Sequence, residues 1–523
     1  MNNSLKFVKL LLGFLFLTLT ANSLPTGNHD KRSPEISGPQ VVRVPLSLVT
    51  NPREQLECLP SQMTLYKFSK RRRAKCNDHS PAGYYLRRRP ESKQWVIYLP
   101  GGWYCADATS CENRGFQDPQ LVSSYTWDQC KERSGIMSDS KDYNPYLFDA
   151  NMVYVPYCSS DMWTGRAPRH NFGNASYAFM GSVILEDVFR HLITHRGMKD
   201  ASGIILAGSS AGGTGVFMNI DRIQSLITDL GVKVRIRGIA DSAWYLLRPE
   251  MEQQVQCKGV NCPQVANLGK GVTVWQANIP ARCHQSYTTV TSSHAQATPL
   301  DESWKCFFGY VIYPYVTAPV FVAQWMFDSF QIQADDADFL GRSRESRFYL
   351  GYIRNLSIKI RTQLEQVDGV FSPSCIDHAV LERREWTSIL VSDINLSSAF
   401  NCWEKSLQEA ESHNKTSSND IMSFNEQAQS ETGSFEVIEQ AASNSTWTSY
   451  WYHDDYIETE GSTTCIYRAI DTSCIPQWNR SCQRLFLHSN EDIFDFLGVD
   501  IDSLVGRNGF ESRSEFYKAY CGG

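Results

Sequence analysis

Gly208-Ser209-Ser210-Ala211-Gly212 sits between the apolar run Gly203-Ile204-Ile205-Leu206-Ala207 and the stretch Thr214-Gly215-Val216-Phe217-Met218-Asn219-Ile220. A short apolar run, a glycine-flanked turn and a helix-forming stretch describe a strand that turns sharply into a helix. Glycines at 208 and 212 let the backbone crowd past the turn, so the Ser210 hydroxyl can stand where the helix begins, as in a nucleophile elbow. The pattern G-x-S-x-G alone is common in a chain this long; its flanking elements are what give it weight.

Other apolar runs end in loops of the same kind. Residues 94–99 lead into Pro100-Gly101-Gly102-Trp103, 151–156 into Tyr157-Cys158-Ser159-Ser160-Asp161, 234–240 into Asp241-Ser242, and 319–327 into Asp328. Amphipathic stretches at 182–193 and 220–230 alternate with them. This order predicts an α/β-hydrolase-like fold, a mostly parallel sheet with helices on both faces and chemistry at the carboxyl ends of the strands. No internal repeat is visible.

Lys6 and Lys9 precede a short apolar core ending near Leu19, with Ala21-Asn22-Ser23 as a cleavage site, so residues 1–23 read as a secretory signal peptide. No later segment has the length of apolar sequence a membrane span needs. A secreted, extracellular protein follows, and nucleic acid is excluded as a partner. The 16 cysteines then argue for a disulfide-bonded fold, since neither a Cys-x-x-Cys pair nor clustered histidines point to a metal, and no cofactor motif is present. Cys105 with Cys111, and Cys257 with Cys262, are close enough in sequence for local pairs. Sequons at Asn174, Asn355, Asn395, Asn414, Asn444 and Asn479 offer glycosylation sites. After the signal, 24–55 reads as a flexible leader, 56–403 as the catalytic body and 463–523 as a cysteine-containing C-terminal segment. Between the last two, 404–462 holds twelve acidic residues against Lys405 and Lys415 and no cysteine, the composition of a disordered acidic insertion.

A serine hydroxyl needs a base to take its proton and an acid to orient that base. In an α/β-hydrolase these follow the serine in the order acid, then histidine. Asp328, directly after an apolar strand, is the better acid; Asp241, at the end of the strand after the elbow helix, competes. Beyond Asp328 lie His378, His413, His453 and His488. His413 and His453 fall in the acidic insertion and His488 in the C-terminal segment, which leaves His378. An oxyanion needs fixed N–H donors; Ala211 and the Gly101-Gly102-Trp103 loop are placed to supply them.

These residues, together with 156–161, 240–244, 304–310, 319–328 and the loop through Cys375 and His378, resemble the pectin acetylesterase-like family over roughly residues 80–405. Within it the chain is similar to the branch of secreted carboxylesterases that remove palmitoleate from Wnt proteins; plant pectin enzymes usually carry Cys where this chain has Ser209. The resemblance implies a Ser210–His378–Asp328 triad, oxyanion donors at Gly102, Trp103 and Ala211, and hydrolysis of the palmitoleoyl ester on a Wnt serine. An acyl pocket is then expected among Trp103, Tyr104, Trp244, Tyr245, Phe307, Phe308 and Tyr313, with Trp325 nearby. Two basic runs, Lys70-Arg71-Arg72-Arg73-Ala74-Lys75 and Arg87-Arg88-Arg89, are candidates for heparan sulfate or glypican, which the similar family is thought to engage. Two other readings remain: a carbohydrate O-acetylesterase with a smaller, more polar pocket, and a non-enzymatic binding module on a hydrolase fold.

Overall fold

A computed structural model describes residues 58–247, 264–289, 300–335, 346–421 and 465–471, with a few positions between 502 and 515. A ten-stranded sheet organises them: β1 (Met63–Lys67), β2 (Gly83–Arg87), β3 (Gln94–Leu99), β4 (Cys130–Lys131), β5 (Asn151–Tyr154), β6 (Gly203–Ser209), β7 (Ile236–Asp241), β8 (Val320–Ala323), β9 (Val370–Ser372) and β10 (Arg468–Ile470). Their spatial order is β10-β9-β8-β7-β6-β3-β5-β2-β1-β4. The seven strands from β10 to β5 are parallel, and β2, β1 and β4 extend the sheet antiparallel. Every residue of β6 and of β7 is buried. Successive side chains point to opposite faces, so both faces of the sheet centre are covered, as expected for a parallel core. Helices α1 (Ala108–Gln117), α2 (Gly181–His195), α3 (Ala211–Asp229), α4 (Gln264–Trp275), α5 (Ser329–Ala334), α6 (Ser346–Leu364) and α7 (Leu396–Ile421) accompany it.

From β3 the chain moves to β5 on one side, returns to β6 on the other, and then progresses outward through β7, β8 and β9. The switch point of the sheet therefore lies between β3 and β6, where a crevice opens beyond the strand ends. Register aligns those ends: Leu99 pairs with Gly208, Ser209 with Asp241, and Asp241 with Ala323.

The disulfide-bonded character is met by pairs Cys58–Cys130, Cys76–Cys158, Cys105–Cys111, Cys283–Cys306 and Cys402–Cys465. The local pair at 105 and 111 is thus present; Cys257 and Cys262 lie outside the described residues. Two boundaries drawn from composition fall elsewhere in the structure. Residue 404 lies inside α7, because Glu404 and Glu411, two turns apart on one face, both reach Arg237 of β7, at 3.6 and 3.3 Å. Burial pushes the Glu404 carboxyl up to about 7 against the pull of Arg237. Nor does 463 begin a separate body, since Cys465 is bonded to Cys402 of α7 and Arg468–Ile470 pairs with β9. The rest of the acidic segment, from 422, lies outside the described residues up to 464.

The two basic runs differ as well. Lys70 to Arg73 are exposed. Arg87, a β2 residue, is buried and donates to the Ser61 and Met137 carbonyls, while Arg88 lies 4.9 Å over the Trp95 ring and Arg89 pairs with Asp139. Arg87 is thus a packing and tethering group, and Arg88 and Arg89, just past the strand, are half-buried with partners of their own. Of the sequons, Asn174 and Asn355 are exposed, and Asn395 Oδ1 accepts from Ser398 N at the start of α7; the side chain of Asn414, and all of Asn444 and Asn479, are outside the described residues.

Candidate active site

Ser210 joins β6 to α3 with φ 57° and ψ −125°, a conformation non-glycine residues rarely adopt. Close packing imposes it. A Cβ at residue 212 would run into the Leu99 carbonyl oxygen of β3, so glycine there lets α3 start directly against the neighbouring strand. A Cβ at residue 101 would sit 2.7 Å from Ser210 Cβ and 3.3 Å from its Oγ, so Gly101 keeps the space before the hydroxyl open. Left-handed φ recurs at Trp103 (59°), Ser242 (52°) and Ala379 (58°), which follow β3, β7 and His378. Several of the chain's left-handed non-glycine residues thus lie at the ends of the strands that carry the candidate site, where backbone strain is often stored.

The loop after β3 is pinned from several directions. Tyr157 donates its hydroxyl to the Trp103 carbonyl at 2.8 Å, Trp163 Nε1 donates to the Pro100 carbonyl at 3.2 Å, and Trp275 Nε1 donates to the Cys105 carbonyl at 2.8 Å. Asp161 anchors the facing loop: it accepts from Gly181 N, Ser159 Oγ and Trp163 N, and burial pushes its carboxyl up to about 6 despite those bonds. Backbone groups at 101–103 are therefore held in place before any ligand arrives.

His378 and Asp328 are brought together by a short parallel pairing, Phe327 with Ile376 and Asp328 with Asp377. His378 Nδ1 donates to Asp328 at 2.8 Å to Oδ2 and 3.0 Å to Oδ1. Asp328 Oδ1 also accepts from Phe330 N and Gln331 N, capping α5. With Nδ1 protonated toward the carboxylate, Nε2 is the nitrogen left as acceptor. Burial works to lower the His378 pKa, but the charge and hydrogen bond of Asp328, with Asp241 and Asp377 behind, prevail and hold it above the ordinary 6.5.

Asp241, the competing acid, is occupied otherwise. Its Oδ2 accepts from Ser209 Oγ at 2.6 Å, Val380 N at 2.8 Å and Leu381 N at 3.1 Å, and its Oδ1 from Ser242 Oγ at 3.0 Å. Ser242 Oγ in turn accepts from Ala379 N. This carboxylate ties the loop carrying His378 to the end of β7.

The aromatic residues named from sequence fall into separate groups. Trp103 lies tilted against Tyr104 at 4.4 Å between centroids; Tyr104 touches Trp275, and Trp275 touches Phe307. Trp103 also meets Phe330 at 4.7 Å, and Phe330 in turn lies 5.3 Å from the His378 ring and 6.1 Å from Tyr245. Tyr245 OH is 3.2 Å from Ser210 Oγ. By contrast Trp244 and Tyr313 pack together with Phe217, Phe308 lies with Trp304 and Tyr310, and Trp325 lines a small internal cavity of about 10 Å³ with Asp241 and Pro373. Phe330 was not anticipated from sequence. Its one signal was the position two residues after Asp328, which the cap of α5 turns back toward the histidine.

A model of the pectinacetylesterase family matches residues 55–429, most of the chain. The chain belongs to the pectinacetylesterase family. Among curated relatives of this family member, palmitoleoyl-protein carboxylesterase NOTUM of Mus musculus is 37% identical over 342 residues, 65% of this chain and 65% of the relative. The Homo sapiens protein of the same name is 37% identical over 342 residues, covering 65% of this chain and 66% of its own length, and notum1 of Xenopus laevis is 38% identical over 341 residues, covering 65% and 67%. The chain thus spans just under two thirds of the length of the first of the relatives it matches. This pectinacetylesterase-family chain carries Ser210, Asp328 and His378 within the matched region, while β10 lies beyond it.

Proposed function

We propose that this protein is a serine carboxylesterase of secreted type that hydrolyses the palmitoleoyl ester on a serine of Wnt proteins, and so antagonises Wnt signalling. Two observations carry the reading: the Asp328–His378 hydrogen bond, and a serine on a strained strand-to-helix turn at the carboxyl end of β6. Ser210 Oγ attacks the acyl carbonyl as His378 Nε2 takes its proton; Asp328 holds the imidazole in the needed tautomer and balances its positive charge. Gly102, Trp103 and Ala211 are assigned as the backbone donors to the oxyanion. His378 then protonates the departing seryl oxygen, and water activated by the same imidazole cleaves the acyl-enzyme. The relatives' printed name, palmitoleoyl-protein carboxylesterase, supports the acyl group. So does the chain of rings that links Trp103, Tyr104 and Phe307 through Trp275 and reaches Tyr245 through Phe330, since a 16-carbon chain leaving water supplies on the order of 10 kcal/mol before binding costs.

The five described disulfides fit an oxidising compartment, and no helix among the described residues is long and apolar enough to cross a membrane. We assign sulfated-glycan contact to the exposed Lys70-Arg71-Arg72-Arg73 run rather than to Arg87-Arg88-Arg89. The deciding experiment incubates the protein and its Ser210→Ala variant with palmitoleoylated Wnt peptides and acetylated sugars, with release followed by mass spectrometry. Loss of palmitoleate release in the variant is expected. Release of acetate alone would make the protein a carbohydrate O-acetylesterase, and equal release by both would defeat the serine assignment.

A further inference from the structure

The Tyr245 ring was counted with the acyl-facing aromatics, but its hydroxyl has no role in the scheme above. Its hydroxyl lies 3.2 Å from Ser210 Oγ, and its side chain is buried with its ring edge-on to Phe330. Among the described residues, Ser210 is the one hydrogen-bond partner of that phenol. Two hydroxyls can share a hydrogen bond in either direction, and burial decides between them. Were Ser210 the donor, the phenol proton would be left in a dry site with no acceptor, at the cost of a lost hydrogen bond, and the serine proton would point away from the base. With Tyr245 as donor, both requirements are met: its proton rests on Oγ, and the Ser210 proton is free for His378. Burial, reinforced by the nearby charge of Asp328, pushes the phenol well above its ordinary pKa, so it stays a donor and never becomes a base.

We propose that Tyr245 is a catalytic hydrogen-bond donor to Ser210 Oγ, acting chiefly when Oγ is expelled from the acyl-enzyme. The inference rests on the esterase reading. In that step water adds to the acyl carbon and gives a proton to His378; the C–Oγ bond then breaks, its electron pair goes to Oγ, and His378 returns the proton there. Tyr245 keeps its own proton throughout and meets the charge as it appears on Oγ. During the first attack the same bond engages a lone pair of the nucleophile, where a donor helps less. The effect on the two half-reactions is therefore unequal, which a purely packing role would not produce.

The test uses Tyr245→Phe, which keeps the ring and removes the oxygen. Acyl-enzyme is formed with a p-nitrophenyl ester, excess reagent is removed, and its decay is followed by intact mass; Ser210 labelling by a fluorophosphonate is timed separately. Decay slowed on the order of tenfold, the worth of a hydrogen bond to a charged atom, with labelling changed by less than about threefold, is the expected result. Equal decay in wild type and variant overturns the proposal, as does a parallel fall of both rates. Tyr245→Leu, which removes the ring as well, is expected to lower both and shows what a packing defect looks like. A wild-type protein that forms no adduct beyond that of Ser210→Ala would fell the esterase reading itself, a result separate from these.

Discussion

Two strand ends carry an aspartate each, and the two residues do different things. Asp241 closes β7, and Asp328 follows the end of the neighbouring parallel strand β8 in the short pairing with Asp377; both are fully buried. Asp241 is met by backbone N–H groups and serine hydroxyls; Asp328 is met by a helix start and an imidazole. A carboxylate whose lone pairs are filled by fixed donors is a structural tether, while one that faces a titratable ring can balance charge that comes and goes. The lesson is that residue type and strand position nominate an acid, and the partner list assigns its task.

The comparison can be broken most sharply at Asp328. Asp328→Asn keeps the helix cap, since Asn caps as well as Asp, but no longer balances the imidazolium; kcat is expected to fall about 10⁴-fold with a small change in melting temperature. Equal loss of folding and activity would show that Asp328 is a tether like Asp241. Asp241→Asn should do the reverse. One oxygen is replaced by a donor where only donors approach, so stability measured by urea unfolding should drop by about 2–4 kcal/mol, with the activity of the folded fraction far less affected than in Asp328→Asn. The smallest effect is on pH dependence. His378 acts as a base only when neutral, and its pKa is held above 6.5, so kcat/KM should decline below a midpoint that lies above that value, approaching tenfold per pH unit. Asp241 contributes to that elevation after Asp328 does; Asp241→Asn should move the midpoint to lower pH, and a shift upward would contradict the electrostatic picture.

The elbow was legible because it is local. Strand, glycine turn and helix occupy consecutive residues, and the steric demand at Gly212 comes from a strand whose own apolar run is plain in the sequence. The distinction between Asp328 and Asp241 was half legible: its place directly after an apolar strand nominated Asp328, but two of the hydrogen bonds that occupy Asp241 come from Val380 and Leu381, far along the chain. Arg87 to Arg89 misled for a related reason. Three consecutive arginines look like surface charge until the fold buries the one in β2 and lays the next on Trp95. Glu404 shows the same failing in an acidic segment, where one buried cation on β7 recruits the first turns into the body.

Ordered apolar runs, the turn at Ser210 and the cysteine count were enough to determine a disulfide-bonded α/β fold with a serine at the carboxyl end of one strand, because strand and turn preferences act over a few residues. Which rings surround that serine, that Phe330 leans on the histidine, and that the Tyr245 hydroxyl reaches Oγ were decided by packing alone. Contacts between residues distant in the chain depend on how strands register and helices seat, and no short-range preference encodes a distance of 3.2 Å between side chains at 210 and 245.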